Sequence, residues 1–246
     1  MNNNIQNVIL AVGAHPDDMD FGASGTIAKF IAEGYEAYYL LCTDGSRGAD
    51  DTTMTHEKLA QTRREEQIAA GKILGLKDIF FLDHPDTQLL ADLTLKEEIV
   101  RVIRTVRPRI VITMDPTFFY TKELNWGDSN FVNHTDHRAA GLATMDAVFP
   151  LCRDRLTFPE HEQQGLTPHV VEELWFTNMT TEKNHIVNIT DTLERKLKAL
   201  ECHKSQFDDF ETIKKRMTER AIAYAEGKDF EYGENFIRLL MPGHRK

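Results

Sequence analysis

The sequence predicts an α/β fold in which helices cover both faces of a doubly wound, mostly parallel sheet. Short apolar runs that suit strands buried on both faces alternate along the chain with longer segments of helical periodicity. Such alternation is typical of parallel strands joined by right-handed crossover connections. The chain has 246 residues, of which 41% are hydrophobic, which is enough for one sizeable core. We therefore predict a single domain over residues 1–246.

Six apolar runs are predicted as strands. The first, residues 5–12, stops before Pro16, which cannot donate a ladder hydrogen bond. The other predicted strands are residues 36–42, 78–82, 109–113, 170–176 and 186–189. In the common strand order 3-2-1-4-5, the first and fourth strands are neighbours at the switch point of the sheet. Open α/β sheets bind ligands there, beyond the carboxyl ends of the strands.

Six segments are predicted as helices from apolar periodicity and from their end signals. Gly34 and Gly75 are suited to end the first two helices. Thr94 is predicted to cap the third helix, with Glu97 as its capping-box partner. The cap of the fifth is predicted at residue 190 or 191, and the sixth is expected on the surface. The predicted helices are residues 22–34, 57–74, 94–106, 136–149, 191–202 and 210–226.

Two stretches fall outside this alternation. A loop of about 20 residues follows the fourth strand. Such a loop is long for a compact domain, so we expect it to have a functional role. Its aromatic side chains would form either a substrate wall or a core within the loop; they are Phe118, Phe119, Tyr120 and Trp126. The tail, residues 230–240, is expected to pack back on the body through Phe236, Ile237, Leu239 and Leu240.

Composition excludes several classes of partner. The formal net charge of −10 argues against nucleic acid, because a phosphate-backbone binder needs a basic surface. Cys42, Cys152 and Cys202 are odd in number and far apart, which favours a reducing compartment over a disulfide framework. Residues 1–4 are polar and lead directly into the first strand, and no apolar run approaches a membrane span. We therefore expect a soluble cytoplasmic protein.

The first strand leads into residue types that bind metals. His15, Asp17 and Asp18 follow it directly, and imidazole nitrogens with carboxylate oxygens suit Zn²⁺ and similar ions. The segment after the fourth strand carries His134 and His137, whose spacing places both on one face at a helix start. In the predicted strand order both segments open onto one crevice. We predict His15, Asp18 and His137 as the metal ligands.

This arrangement predicts hydrolytic chemistry. Three protein ligands leave one position for water, as in catalytic zinc sites, and zinc lowers the pKa of that water toward about 7. Asp17 is not needed as a fourth ligand and is predicted to be the general base. His134 would hydrogen-bond or protonate the tetrahedral intermediate. The same ligand set would also accept Fe²⁺, Co²⁺ or Mn²⁺.

Other polar residues have plainer interpretations. Residues 84–86 repeat the His-Pro-Asp triplet after the third strand, and we interpret them as a turn. Asp136 is interpreted as a helix cap rather than a metal ligand. Arg47, Arg63 and Arg64 are candidates for contact with a substrate, although exposed arginines on helices are usually only solvated.

These motifs resemble the PIG-L/LmbE-like family of zinc-dependent N-deacetylases. The resemblance is carried by the sequences at 14–18 (Ala-His-Pro-Asp-Asp) and 134–137 (His-Thr-Asp-His). It continues, in family order, through the blocks at 43–48, 63–66, 69–70, 74–75, 81–86 and 198–206. It implies a Rossmann-like fold and hydrolysis of an acetamide, commonly on an N-acetylglucosamine derivative. It also implies the same zinc ligands, general base and assisting histidine as the residue types do.

The resemblance adds two expectations. An arginine would help to hold the substrate, and we choose Arg63 for this role, with Arg47 as a second candidate. His203 and Gln206 match a family block near the C-terminus, and their role stays open. Similar proteins include trimers and hexamers, so we expect a homo-oligomer.

Two departures from the family pattern lie beside the site. Met19 stands where the family often has Glu, and Thr135 stands where it often has Pro. Neither position is a proposed ligand, so the departures do not argue against activity. They indicate a subfamily away from the best-known thiol-biosynthesis members, which leaves the leaving group open.

The sequence thus predicts a metal-dependent hydrolase that removes the acetyl group from an N-acetylated amino sugar of the N-acetylglucosamine type, or from its conjugate. The alternative is a non-catalytic sugar- or metal-binding module, which would not need Asp17 as a base. A dinucleotide-dependent oxidoreductase fits the α/β alternation but not the first loop. Residues 13–16 read Gly-Ala-His-Pro, where a Gly-x-Gly-x-x-Gly motif would be required.

Overall fold

The computed structural model describes residues 7–49, 51–121, 131–177 and 184–242 of the chain. Within these ranges it contains nine strands, seven of which form one sheet in the order 3-2-1-4-7-9-8 along the chain numbering. The other two, β5 and β6, pair antiparallel with each other. The strands are β1 (Val8–Gly13), β2 (Glu36–Thr43), β3 (Asp78–His84), β4 (Ile110–Met114), β5 (Tyr120–Thr121), β6 (Phe131–Val132), β7 (Glu173–Thr177), β8 (His185–Asn188) and β9 (Gly233–Leu240).

Helices connect these strands in the alternation that the sequence predicts. The helices are α1 (Asp18–Gly22), α2 (Ser24–Ala32), α3 (His56–Leu74), α4 (Leu93–Val106), α5 (Thr135–Asp146), α6 (Glu160–Gln163), α7 (Leu193–Leu200) and α8 (Phe210–Ala225). A π-helical turn (Ala147–Leu151) follows α5, and a 3₁₀ turn (Lys204–Gln206) follows α7. Of the helices in the described ranges, none has both the length and the apolar composition that crossing a bilayer requires.

Five strands of the large sheet, β3, β2, β1, β4 and β7, are parallel to one another. This arrangement confirms the predicted fold class and strand order. β1 lies between β2 and β4, and β4 pairs with β7. Every residue of β1 is buried, as expected for a central strand that is covered on both faces. The carboxyl ends of β1 and β4 are therefore adjacent, and the two loops that carry the predicted site residues start side by side.

The tail differs from the prediction, because it is a strand inside the sheet. β9 pairs antiparallel with β7 on one side and β8 on the other. Phe236 is fully buried, but Leu239 is 41% and Leu240 61% exposed, so the expectation that these two leucines pack on the body is wrong. Among the described residues, β8 pairs with β9 only as far as Phe236, whereas β7 pairs with β9 as far as Leu240.

Several predicted helix ends are also corrected. The cap of α4 is Asp92, whose side chain accepts a hydrogen bond from the backbone N–H of Leu95, rather than Thr94. The helix predicted over residues 22–34 corresponds to α2, and the short helix α1, which ends just before it, was not predicted. The residue that precedes α7 is Thr192, where a cap at 190 or 191 was expected. As predicted, α8 lies on the surface, with one face buried. Gly75 ends α3 in the left-handed region, as predicted.

Candidate metal and catalytic site

The structure brings the predicted histidines together at the carboxyl end of the sheet. His15 lies in the loop after β1, whereas His134 and His137 lie at the start of α5, in the segment that follows β4 and the β5–β6 pair. The ring centroid of His15 is 4.8 Å from that of His134 and 5.2 Å from that of His137. The rings of His134 and His137 are 5.2 Å apart. Three imidazoles from two distant segments thus surround one point.

The carboxylate of Asp18 lies between two of these rings. Its Oδ1 is 3.1 Å from Nε2 of His137, and its Oδ2 is 3.5 Å from Nδ1 of His15. Atoms bound at about 2.0–2.1 Å to one tetrahedral zinc ion are roughly 3.3 Å apart. Both observed separations are close to this value and involve different oxygens of Asp18, so each histidine lies near enough to Asp18 for the pair to share a metal ion.

Two further carboxylates contact the other nitrogen of His15. Its Nε2 is 3.1 Å from Oδ1 of Asp86 and 3.2 Å from Oδ2 of Asp136. All three residues are buried. Because a carboxylate only accepts hydrogen bonds, these contacts hold a proton on Nε2, and Nδ1, which faces Asp18, is the nitrogen of His15 that could bind a metal ion. Metal-ligating histidines are commonly oriented by carboxylates in this way.

These contacts correct two of our interpretations. Residues 84–86 are more than a turn, because Asp86 faces the site. Asp136 is not the cap of α5, since the residue that precedes this helix is His134. The carboxylate of Asp136 instead accepts the backbone N–H groups of Thr87 and Leu89, at 2.7 and 3.3 Å. It therefore joins the loop after β3 to the site.

Electrostatics in the cluster favour opposite charges on neighbouring groups. Burial lowers the pKa of His15, but its contacts with Asp136, Asp18 and Asp86 outweigh burial and raise the pKa to about 12. Burial raises the pKa of Asp18, and the neighbouring His137 and His15 more than reverse this, holding the pKa well below its usual value. Positive charge at the centre of the site is thus strongly favoured, as a cation-binding site requires.

Geometry and burial favour a neutral His134. Its Nδ1 accepts a hydrogen bond from the backbone N–H of Asp136 at 3.2 Å, so the ring proton lies on Nε2. Burial, followed by repulsion from His15 and His137, lowers the pKa of His134. One nitrogen from each of His15, His134 and His137 lies within 4.8 Å of the others, and so do a nitrogen of His15 and one carboxylate oxygen from each of Asp86 and Asp136. The protonation pattern leaves His134 suited to donate a hydrogen bond.

Asp17 precedes α1 in an unusual backbone conformation, with φ 100° and ψ −28°. Its Oδ2 is 3.3 Å from Nη2 of Arg63, an ion pair with little exposure to solvent. Burial raises the pKa of Asp17 to about 6, while Arg63 opposes the shift and Asp18 adds to it. A carboxylate with a pKa near neutrality suits the acceptance and release of protons.

The two predicted substrate arginines lie in different environments. Arg63 is 5% exposed, and its guanidinium donates to the carbonyl oxygens of Pro16 (2.6 Å) and Gly45 (3.2 Å) as well as pairing with Asp17. Arg47 is exposed, and its backbone N–H donates to Asp86 at 3.1 Å. Both arginines therefore adjoin residues of the site, although Arg63 is not the solvated helix residue that arginines usually are.

The surroundings leave room beside the ligands. A cavity of about 300 Å³ adjoins Asp18 and His137, and its walls include Phe21, Met114 and Met217. In the aromatic loop, the ring centroids of Phe118 and Phe131 are 6.3 Å apart, whereas Phe119 and Tyr120 are largely exposed. Trp126, part of the predicted aromatic cluster, lies outside the described residues, as do residues 1–4.

Comparison with known proteins decides the family. The family model described as PIG-L, GlcNAc-PI de-N-acetylase, matches residues 10–148, a range that contains the whole cluster around His15. This chain belongs to the PIG-L family. The resemblance inferred from the motifs is confirmed.

Relatives of the PIG-L chain extend the match beyond that range. Diacetylchitobiose deacetylase of Thermococcus kodakarensis is 35% identical over 241 residues, covering 96% of this chain and 83% of the relative. A Bacillus anthracis protein described as a probable N-acetyl-alpha-D-glucosaminyl L-malate deacetylase 2 is 26% identical, covering 87% and 88%. The solved structure of N,N'-diacetylchitobiose deacetylase from Pyrococcus horikoshii, complexed with its inhibitor MPG, superposes with a TM-score of 0.85 at 30% identity, covering 95% and 84%.

Proposed function

We propose that this chain is a metal-dependent N-deacetylase that removes the acetyl group from an N-acetylglucosamine-type amino sugar or its conjugate. The observation that carries the proposal is the position of Asp18 between His15 and His137, with Asp17 next to it in the chain. Membership of the PIG-L family supports it, as do relatives that are named as deacetylases of acetylated amino sugars.

The proposed metal ion is Zn²⁺, which His15, Asp18 and His137 would hold, with Nδ1 of His15 and Nε2 of His137 as the donor nitrogens. When bound, such an ion polarises a water molecule and lowers its pKa into the neutral range. The contacts of Asp86 and Asp136 with Nε2 support the choice of Nδ1 on His15. Nitrogen and oxygen ligands of this kind also accept Fe²⁺, Co²⁺ and Mn²⁺.

Asp17 and His134 have separate tasks in the proposed reaction. Asp17 accepts the proton of the attacking water as the new C–O bond forms at the amide carbon. The Nε2–H group of His134 donates a hydrogen bond to the oxygen that develops negative charge. The C–N bond then breaks, and the departing amine takes up the proton that Asp17 holds. Acetate and the free amino sugar are the products.

The rest of the substrate needs contacts beyond the acetyl group. Arg63 and Arg47 stay our predicted substrate residues, and the cavity beside Asp18 and His137 offers space next to the proposed metal ion. Three statements about the whole chain also stay predictions. They are a single domain over residues 1–246, a homo-oligomer such as a trimer or hexamer, and a cytoplasmic location.

The test is acetate release by metal-reconstituted protein from N-acetylglucosamine, N,N'-diacetylchitobiose and N-acetylglucosaminyl conjugates. We expect release that is abolished by a chelator and restored by Zn²⁺. His137→Ala should bind less metal and lose activity, whereas His56→Ala, which replaces a histidine outside the site, should not. Stoichiometric metal with sugar binding but no acetate from any of these compounds would instead favour the non-catalytic binding module.

A further inference from the structure

Asp17 is held by contacts that reach far beyond the metal site. A φ of 100° lies in the left-handed region, which residues other than glycine rarely adopt because it is strained for them. The conformation persists only where surrounding groups enforce it. The backbone N–H of Asp17 donates to Oε1 of Gln67 at 2.9 Å. On the preceding residue, the carbonyl oxygen of Pro16 accepts from Arg63.

Gln67 is oriented by a second carboxylate. Its Nε2 donates to Oδ2 of Asp20 at 2.8 Å, and the side chain of Gln67 is completely buried. Since the N–H of Asp17 only donates and the carboxylate of Asp20 only accepts, the amide has a single orientation that satisfies both. A buried amide with both ends satisfied is rigid, because any rotation would leave polar groups unpaired.

Asp20 is fixed in turn from two other elements. Nε2 of His203 lies 2.8 Å from Oδ2 of Asp20, and the hydroxyl of Tyr39 donates to Oδ1 at 3.3 Å. Asp20, Tyr39 and His203 are all fully buried. Burial lowers the pKa of His203, and the contact with Asp20 more than compensates and raises it. An unbroken series of hydrogen bonds thus joins the segment after α7 to the backbone of Asp17.

From this series we infer that Gln67, Asp20 and His203 are positioning residues for Asp17. They hold its backbone in the left-handed conformation so that its carboxylate faces the reacting water instead of turning away. The inference rests on the proposed function, because it assigns Asp17 a proton to accept. It also gives a role to His203, a residue of the C-terminal block whose function the motif alone did not indicate.

The first test is Gln67→Met, which keeps the length of the side chain but removes both hydrogen bonds. We expect kcat to fall roughly 10- to 100-fold, because a displacement of about 1 Å in a reacting group has effects of this size. KM and metal content should stay near wild-type values. In the Asp17→Asn background the same substitution should change the residual rate by less than about 3-fold, because coupled residues are not additive.

Glu66→Ala is the matched control. Glu66 neighbours Gln67 on α3 and accepts hydrogen bonds from the backbone N–H and hydroxyl of Ser205, at 2.8 and 2.7 Å, in the turn that follows His203. Glu66→Ala should release Ser205 but leave the contact of His203 with Asp20 in place, so kcat should not fall. If kcat fell as much in Glu66→Ala as in Gln67→Met, the effect would reflect a general loss of stability, and the inference would be overturned.

A second pair of variants decides the matter if Gln67→Met does not fold. His203→Gln retains a donor toward Asp20, and His203→Leu does not; we expect kcat to fall only in the leucine variant, with metal content retained. Equal kcat in both folded variants, or an unchanged kcat in folded Gln67→Met, would overturn the inference. Wild-type protein that released no acetate would contradict the proposed function itself, so the two failures are distinguishable.

Discussion

Nε2 of His15 lies 3.1 Å from Oδ1 of Asp86, in a contact that joins the loop after β1 to the loop after β3. The contact holds the proton of His15 on Nε2, together with Asp136 at 3.2 Å. Nδ1, on the side of Asp18, is therefore the nitrogen of His15 that could bind a metal ion in place of a proton. In the proposed site, Asp86 would thus orient His15 toward the metal ion.

Replacing Asp86 should therefore weaken metal binding. We expect Asp86→Asn to lower the affinity for Zn²⁺ by about 10- to 100-fold, the usual effect of removing a carboxylate that orients a ligating histidine. Competition with a chromophoric chelator measures the affinity. Asp83→Asn is the control, because Asp83 is exposed and pairs with Arg64. Equal affinities in the two variants would contradict the orienting role of Asp86.

The second prediction concerns Asp17→Asn. Asparagine keeps the shape of the side chain and tolerates the left-handed backbone at this position, but it cannot accept a proton from water. We expect kcat to fall by about 10²–10⁴, the usual contribution of a general base, while bound metal stays stoichiometric. Acetate release and metal analysis of the same sample measure both. Undiminished turnover would eliminate Asp17 as the base.

The third prediction is a pH dependence of stability that arises from His169. Its Nε2 donates to the carbonyl oxygen of Pro108 at 2.8 Å, and burial lowers its pKa from 6.5 to about 4. Below pH 6.5 the unfolded chain binds a proton at this residue that the folded chain does not bind until about pH 4. The contribution of His169 to the free energy of unfolding should therefore be fully present above pH 6.5 and fall between these values, by at most about 3 kcal/mol.

His169→Gln tests this linkage, because the glutamine amide can also donate to Pro108 and has no charge at any of these pH values. Urea unfolding of metal-free wild-type and variant protein should be compared at several pH values. The difference between the two stabilities should change with pH below 6.5 and be constant above it. A constant difference over the whole range would show that His169 titrates alike in both states.

The fourth prediction concerns Gly141, where α5 packs against the end of β4. A Cβ atom at this position would lie 2.3 Å from the carbonyl oxygen of Met114, which belongs to the backbone and cannot move aside independently. We expect Gly141→Ala to destabilise the fold by at least about 2 kcal/mol, since overpacking against a rigid partner has costs of this order. Because α5 carries His137, metal affinity should fall as well.

Gly71→Ala is the matched control for Gly141→Ala. It also places a methyl group on a helical glycine, but the contact, at 2.7 Å, is with the terminal Cδ1 of Ile79. That methyl group can rotate away, and alanine favours a helix by about 0.5–1 kcal/mol over glycine. Thermal unfolding should therefore separate the two variants clearly. Similar midpoints would show that α5 can shift away from β4 without loss.

The sequence by itself determined the features that depend on local order. Unbroken apolar runs specified buried parallel strands, and the strand order then placed His15 and His137 at one crevice, because neighbouring parallel strands end at the same edge. The abundance of motifs in family order was likewise sufficient to name the PIG-L family. These inferences needed only periodicity, residue type and order along the chain.

Only the tertiary structure decided which polar groups meet across the sheet. No local pattern shows that Asp86 and Asp136 would share one nitrogen of His15, or that Gln67 would hold the backbone of Asp17. The same is true of β9, whose place between β7 and β8 depends on partners distant in the chain. Hydrogen bonds between distant residues are selected by burial, since a buried polar group must find whichever partner the fold brings near. These partners meet only when the chain folds, so the periodicity of the sequence does not reveal them.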